Sequence, residues 1–145
     1  MHPGASPFIA IICFCPIEHP VKWLYAAKKI NSQEAVLLIK ATINTNWHIY
    51  SLNGGGEEGP VKTSFTFTPS SEYNLDGKIA EPMPVTHFEK AFNMNVSYFE
   101  NSVVFQQKIK LKSSQAPIKG SLEYMACTNQ KCLPPEEVDF SILIK

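Results

Sequence analysis

The feature that most constrains this chain is a two-residue alternation of apolar and polar side chains, which begins near Val21 and recurs to the end of the chain. It is clearest in Ser102–Lys112, where the apolar set is Val103, Phe105, Ile109 and Leu111 and the polar set is Gln106, Lys108, Lys110 and Lys112. Successive side chains of a strand point to opposite faces of a sheet, so this period predicts strands with one buried and one solvated face.

The same pattern predicts further strands at Lys22–Lys28, Ala35–Ile43, Trp47–Leu52, Thr63–Thr68, Lys119–Cys127 and Val138–Ile144. Ser70–Pro84 contains the turn residues Asp76–Gly77 and predicts a short strand pair or an irregular crossing, whereas Phe88–Met94 has no clear period. About seven to nine short strands separated by turns, with no amphipathic helix, predict an all-β fold, an antiparallel sandwich of immunoglobulin-like type.

Length and charge limit the possible functions. The 145 residues, 44% of them hydrophobic, are sufficient for one domain with its own core. Lys plus Arg equals Asp plus Glu at 13 each, so no net field favours a nucleic-acid backbone or an anionic membrane. We therefore expect one domain over residues 21–145, without nucleic-acid or membrane contact of its own.

Residues 1–20 differ from the rest of the chain. Pro7–Ile17 is apolar enough for the core of an export signal, although no Lys or Arg precedes it, and it contains Cys13 and Cys15. It is too short to span a bilayer. We interpret residues 1–20 as a remnant of an export signal or an N-terminal extension, with a genuine first strand as the alternative.

Two cysteines near the C-terminus are the candidate chemistry. Cys127 and Cys132 flank a short polar turn, which can bring their Cα atoms within the reach of a disulfide. The bridge closes about six residues and contributes only roughly 2 kcal/mol by chain entropy, a weak reason for it to exist. Pro134 and Pro135 cannot continue a ladder, so we expect them to hold Cys132 at a strand entrance near the surface.

A redox-active pair is the favoured interpretation, and a structural disulfide or half of a metal site are the alternatives. Lys131 beside Cys132 favours the thiolate that takes part in exchange. Structural zinc usually needs four ligands, and no spacing completes a set with the histidines His2, His19, His48 and His87. The sequence predicts neither a metal nor another cofactor.

Four short segments, in this order, resemble the N-terminal domain of DsbD-type thiol:disulfide interchange proteins: Trp47–Tyr50, Gly59–Pro60, Tyr124–Cys127 and Cys132–Pro135. The resemblance extends over roughly Val21–Lys145. It implies an immunoglobulin-like fold, a periplasmic location and a place in cytochrome c biogenesis. It also implies that the domain receives electrons from the protein's own thioredoxin-like domain and passes them to disulfide isomerases and cytochrome c maturation thioredoxins.

The resemblance also implies unequal roles for the two cysteines. Cys132 corresponds to the family cysteine that forms the mixed disulfide with partners, and Cys127 to the one that resolves it. Four residues separate the pair here, whereas the best-known enterobacterial member has five. The turn between the sulfurs therefore departs from that of the best-known member.

Four aromatic or imidazole side chains and one proline complete the predicted partner-facing set. His48 and Tyr50 fall where the best-known member has two tyrosines beside the sulfurs. Phe92 falls at the position of a cap-loop phenylalanine that shields the disulfide, with Phe88 as the competing choice, and Pro134 follows the pair. On general grounds of burial, these aromatic residues are also expected in an ordinary core.

The sequence thus predicts a thiol:disulfide exchange domain that works through the Cys127–Cys132 pair without a bound cofactor. The alternative function is a non-catalytic immunoglobulin-like binding module, in which the disulfide only fixes a loop.

Overall fold

The computed structural model describes residues 18–54 and 59–144. Cys13, Cys15 and most of the predicted N-terminal extension lie outside these described residues. Within them, regular structure consists only of β-strands, and there is no helix long and apolar enough to cross a membrane.

Eleven strands are present in the described ranges, and every ladder between them is antiparallel. Their bounds are β1 Val21–Lys29, β2 Glu34–Ile43, β3 His48–Tyr50, β4 Ser64–Phe67, β5 Tyr73–Ala80, β6 Val85–Glu89, β7 Met94–Phe99, β8 Ser102–Leu111, β9 Ala116–Tyr124, β10 Ala126–Cys127 and β11 Glu136–Ile144. They form core sheet 1 in the order β1-β2-β8-β5, core sheet 2 in the order β11-β9-β4, and a site sheet in the order β10-β3-β7-β6.

The two core sheets face each other, and each buries the row of side chains that points toward the other sheet, here called its inner row. This arrangement confirms the predicted antiparallel β-sandwich. Trp23 of core sheet 1 contacts Tyr124 of core sheet 2 with ring centroids 5.4 Å apart, and Phe65 lies 5.0 Å from Phe105 across the same interface. Inner-row residues of both sheets belong to one buried cluster, including Leu37, Ile39, Phe105, Ile109, Ile118, Leu122, Phe140, Ile142 and Ile144.

The strands predicted from strict alternation lie where they were expected, but Ser70–Pro84 does not contain a strand pair. It contains the single strand β5, and Asp76–Gly77 is not a turn. Gly77 has φ of 79° at a register shift opposite β8, so the glycine accommodates an irregularity within the strand. Gln107, which lies in the inner row of β8, donates a hydrogen bond of 3.1 Å to the Gly77 carbonyl there.

The prediction of one strand over Lys119–Cys127 is also wrong, because the chain changes sheets at Met125. β9 ends at Tyr124 in core sheet 2, and β10 begins at Ala126 in the site sheet. Four consecutive residues from Tyr124 to Cys127 are buried, since the chain passes between two apolar clusters and uses both of its faces. This crossing carries Cys127 out of the sandwich core and into the site.

The sequence pattern did not predict the hairpin formed by β6 and β7. Its turn, residues 90–93, lies within the stretch Phe88–Met94, which had no clear period, and Pro82 and Pro84 precede the first strand. β6 is an edge strand of mostly exposed residues, so burial imposes no hydrophobic alternation on its sequence.

Candidate redox site

The site sheet has one face in the sandwich core and the other in the candidate site. Ile49, Phe99 and Ala126 belong to the main core cluster. Residues that alternate with them along the chain point the opposite way and form a second cluster, here called the site cluster, composed of Tyr50, Val96, Tyr98, Met125 and Cys127. A shift of one residue in register would exchange these two sets, so burial of the core face fixes which side chains reach the site.

Cys127 and Cys132 form a disulfide across a narrow hairpin, with their Cα atoms 4.0 Å apart. Thr128 N donates to Lys131 O at 2.7 Å on one side of the pair, and Leu133 N donates to Ala126 O at 2.9 Å on the other. The cysteines are therefore opposed at a non-hydrogen-bonded position, where antiparallel side chains approach most closely.

The Thr128 side chain organises the turn between the two cysteines. Its hydroxyl oxygen accepts hydrogen bonds of 3.1 Å from the backbone N–H groups of both Gln130 and Lys131. This local bonding holds a four-residue turn closed without glycine or proline. The turn therefore positions Cys132 opposite Cys127.

The two halves of the disulfide differ in exposure. Cys127 is 0% exposed within the site cluster, whereas Cys132 is an exposed residue at the hairpin edge. Pro134 is also exposed and precedes β11. Of the two bridged residues, Cys132 is therefore the one that is exposed to solvent.

Of the two candidate cap residues, the structure brings Phe92 to the site. Phe92 lies in the turn between β6 and β7, packs against the site cluster, and has its ring centroid 6.3 Å from that of Tyr50. The turn is closed by a hydrogen bond from Phe92 N to Glu89 O at 3.2 Å. Phe88 is 53% exposed and is not a member of the site cluster.

His48 lies directly opposite Cys127 in the ladder between β3 and β10, and it is 6% exposed. Its Nε2 is 3.0 Å from the Tyr50 hydroxyl, which lies 3.1 and 3.2 Å from the two carboxylate oxygens of Glu89. A carboxylate only accepts, so the Tyr50 hydroxyl donates to Glu89 and accepts from Nε2–H of His48. This assigned tautomer leaves Nδ1 of the neutral imidazole unprotonated.

Burial keeps both of these groups neutral near pH 7. It lowers the pKa of His48, and the negative charges of Glu89 and Glu100 oppose this effect in part. It raises the pKa of Tyr50 far above the ordinary value of a phenol, and the charge and hydrogen bond of Glu89 add to the shift. The site thus holds a neutral imidazole and a protonated phenol against the buried sulfur.

Sequence reasoning missed Glu89 and Tyr98. Tyr98 pairs with Tyr50 across β3 and β7, its ring centroid lies 4.9 Å from that of His48, and its hydroxyl is 2.6 Å from Nδ1 of His87. The alternation of Val96 and Tyr98 was available in the sequence as a signal for Tyr98. The contact between Glu89 and Tyr50 depends on how β6 and β7 pair, and no local sequence pattern specifies that pairing.

An open groove of about 590 Å³ runs beside the disulfide hairpin, between its turn and the segment that contains Trp47 and His48. Nζ of Lys131 lies 2.5 Å from a carboxylate oxygen of Glu18 and 5.8 Å from the centroid of the Trp47 ring. The Glu18 carboxylate offsets the positive charge that was expected to favour a thiolate at Cys132. In the described ranges there is no group of three or more His, Cys, Asp or Glu side chains that could hold a metal ion.

Residues 20–144 match the sequence profile of the family described as thiol:disulfide interchange protein DsbD, N-terminal. The chain belongs to this DsbD N-terminal family. No curated protein matches the chain closely enough to count as a relative.

Solved structures of this kind share the fold. The reduced N-terminal domain of DsbD from Neisseria meningitidis has a TM-score of 0.56 at 15% identity, with 81% of this chain and 82% of that one covered. The N-terminal periplasmic domain of ScsB from Proteus mirabilis has a TM-score of 0.58 at 20% identity, with 88% of this chain and 51% of that one covered. A complex of the N-terminal domains of DsbD and PilB from Neisseria meningitidis has a TM-score of 0.53 at 12% identity, with 82% and 80% covered.

Proposed function

We propose that this domain exchanges its Cys127–Cys132 disulfide with thioredoxin-like partners and relays reducing equivalents in an extracytoplasmic compartment, the periplasm. It receives electrons from a thioredoxin-like domain and delivers them to partners such as disulfide isomerases and cytochrome c maturation thioredoxins. The observation that carries the proposal is the unequal exposure of the two bridged cysteines, Cys127 fully buried and Cys132 at the surface.

The exchange proceeds through one mixed disulfide. A partner thiolate attacks Sγ of Cys132, the Cys127–Cys132 bond breaks, and the electron pair leaves on Cys127 as a thiolate that takes up a proton. The second partner thiol then displaces Cys132, which leaves an oxidised partner and a reduced domain. Delivery to a downstream partner is the reverse sequence, with Cys132 as the attacking sulfur and Cys127 as the resolving sulfur.

The solved relatives support the choice of compartment and partner class. The ScsB relative is a periplasmic domain, and a structure is known for the complex between a DsbD N-terminal domain and a PilB N-terminal domain. The exposed edge at Cys132 and Pro134, next to an open groove, suits docking of another folded domain.

Trapping of the mixed disulfide tests the proposal. We expect a Cys127→Ala variant to accumulate a covalent complex with an oxidised thioredoxin-like partner, because attack by Cys132 remains possible and resolution does not. Mass spectrometry of the non-reduced complex identifies the linked cysteine. Both variants are made in a chain with Cys13 and Cys15 replaced by serine, because these two thiols could also react. The matched control is Cys132→Ala, which then retains only the buried thiol of Cys127 and should form no complex; a Cys127→Ala variant that traps nothing would contradict the proposal.

The structural-disulfide alternative makes a different prediction for the reduction potential. Structural bridges in secreted proteins generally lie below about −300 mV, and exchanging ones lie higher, near their partners. Equilibration of the domain with glutathione or dithiothreitol buffers distinguishes the two. A potential below about −300 mV would favour the non-catalytic binding module.

A further inference from the structure

Resolution by Cys127 raises a chemical problem that does not arise for the exposed Cys132. The Cys127 side chain is fully buried among Tyr50, Val96, Tyr98 and Met125. Apolar burial disfavours a thiolate, yet the thiolate is the nucleophile of exchange and also the leaving group of the reverse step. A proton must therefore leave Cys127 as it attacks and return as it departs.

His48 is placed to handle that proton. It is the direct cross-strand partner of Cys127 on the same face of the site sheet, and the Cβ atoms of such partners lie about 4.5–5.5 Å apart. The hydroxyl of Tyr50 is already committed to the Glu89 carboxylate. The Nε2–H of His48 is in turn committed to Tyr50, so the basic nitrogen of the neutral ring is Nδ1.

We propose that His48 is the general base that takes the proton from the Cys127 thiol during resolution, and the general acid that returns it in the reverse direction. The inference rests on the proposed exchange function. In the forward step the S–H bond of Cys127 breaks, its proton moves to the imidazole, and the sulfur attacks Sγ of Cys132. The Cys127–Cys132 bond forms, the Cys132–partner bond breaks, and the partner leaves as a thiolate.

Glu89 and Tyr50 support the imidazolium that this step creates. Oε1 of Glu89 lies 3.8 Å from Nε2 of His48, its side chain is 15% exposed, and the Tyr50 hydroxyl joins the two groups. The arrangement of thiol, imidazole and carboxylate follows the general logic of a nucleophile activated by a base that a third group orients. Partial exposure of Glu89 gives the proton a route to solvent.

Charged and titratable groups on the neighbouring elements affect the pKa of His48. Glu89 and Glu100 favour the imidazolium, and His87 opposes it. Lys131, on the groove side, is paired with Glu18. The phenol rings of Tyr50 and Tyr98 also lie beside the imidazole, both held protonated by pKa values raised through burial, and Cys127 is its cross-strand partner.

A chromogenic disulfide separates the two chemical steps. The reduced full chain, with Cys13 and Cys15 replaced by serine, is mixed with 5,5′-dithiobis(2-nitrobenzoate) in a stopped-flow spectrometer. Attack by Cys132 releases one thionitrobenzoate in a phase that depends on reagent concentration. Resolution by Cys127 releases the second in a phase that does not, so its rate constant reports the proposed proton transfer.

We expect His48→Gln to slow the second phase by ~10²-fold at pH 7, within the usual range for general-base catalysis, and to leave the first phase unchanged. In the wild type the second phase should level off above the pKa of His48. In His48→Gln it should keep rising with pH, by about tenfold per unit, until the thiol itself ionises. His19→Gln, which changes an exposed histidine elsewhere, is the matched control.

Glu89→Gln provides a second test, which does not depend on whether His48→Gln folds correctly. Loss of the carboxylate should move the inflection of the second phase to lower pH, because the imidazolium loses its support. Equal rate constants for the second phase in wild type and His48→Gln at every pH measured would overturn the inference. A wild-type rate constant that rises with pH without reaching a plateau would also overturn it. A wild type that never releases the second equivalent would instead overturn the proposed exchange function.

Discussion

At the scale of single residues, we expect Phe92 to control access to the buried side of the disulfide. It packs against the site cluster beside Tyr50, and its truncation opens a path toward Cys127. We expect Phe92→Ala to accelerate reduction of the oxidised domain by dithiothreitol several-fold, because exchange depends on access to sulfur. The partly buried ring should cost about 1–3 kcal/mol of stability, less than the ~3–5 kcal/mol of a fully buried phenylalanine.

Phe88→Ala is the matched control, since it removes the same ring from the same hairpin at a position that is 53% exposed. Its reduction rate and its free energy of unfolding, from urea titrations, should stay near the wild-type values. Equal acceleration in both variants would show that the hairpin as a whole, and not the Phe92 ring, limits access.

At the scale of elements, Gly120 shows how closely the strands of core sheet 2 approach one another. It belongs to the inner row of β9, and a Cβ there would overlap the backbone carbonyl of Thr66 on β4 and approach within 2.9 Å of Cζ of Phe140 on β11. We expect Gly120→Ala to destabilise the domain by about 1–3 kcal/mol through overpacking. Lys119→Ala, at the exposed neighbouring position, should change stability by less than about 0.5 kcal/mol in the same urea titrations; comparable losses would contradict this account.

The elements also show what the sequence could and could not predict. Strands such as β2, β8 and β11 bury one face against the core, so their alternation predicted both their places and their inward side chains. The edge strand β6 has no such constraint, and the change of sheet at Met125 breaks the alternation because both faces of the chain are buried there. The cysteine pair was visible as a motif, whereas the contact of Glu89 with Tyr50 depends on long-range strand pairing.

At the scale of the whole molecule, the redox chemistry is separated from the structure that keeps the domain folded. The main core lies between the two core sheets, and the site cluster lies on the outer face of a third sheet whose other face joins that core. Opening the bridge changes only a six-residue hairpin loop from Cys127 to Cys132. A domain that alternates between dithiol and disulfide needs this separation, since both states must remain folded.

Reduction should therefore lower the stability of the domain by only about 2 kcal/mol, the chain-entropy value for a loop of this length. For a chain of this size that corresponds to a fall in Tm of roughly 4–8 °C. Thermal unfolding followed by circular dichroism, with and without a phosphine reductant, measures the difference. Both proteins carry serine at positions 13 and 15, and a Cys127→Ala, Cys132→Ala double variant controls for the reductant, because its Tm should not respond to it. Unfolding at room temperature on reduction would mean that the bridge holds the fold together, and would favour a structural disulfide over an exchanging one.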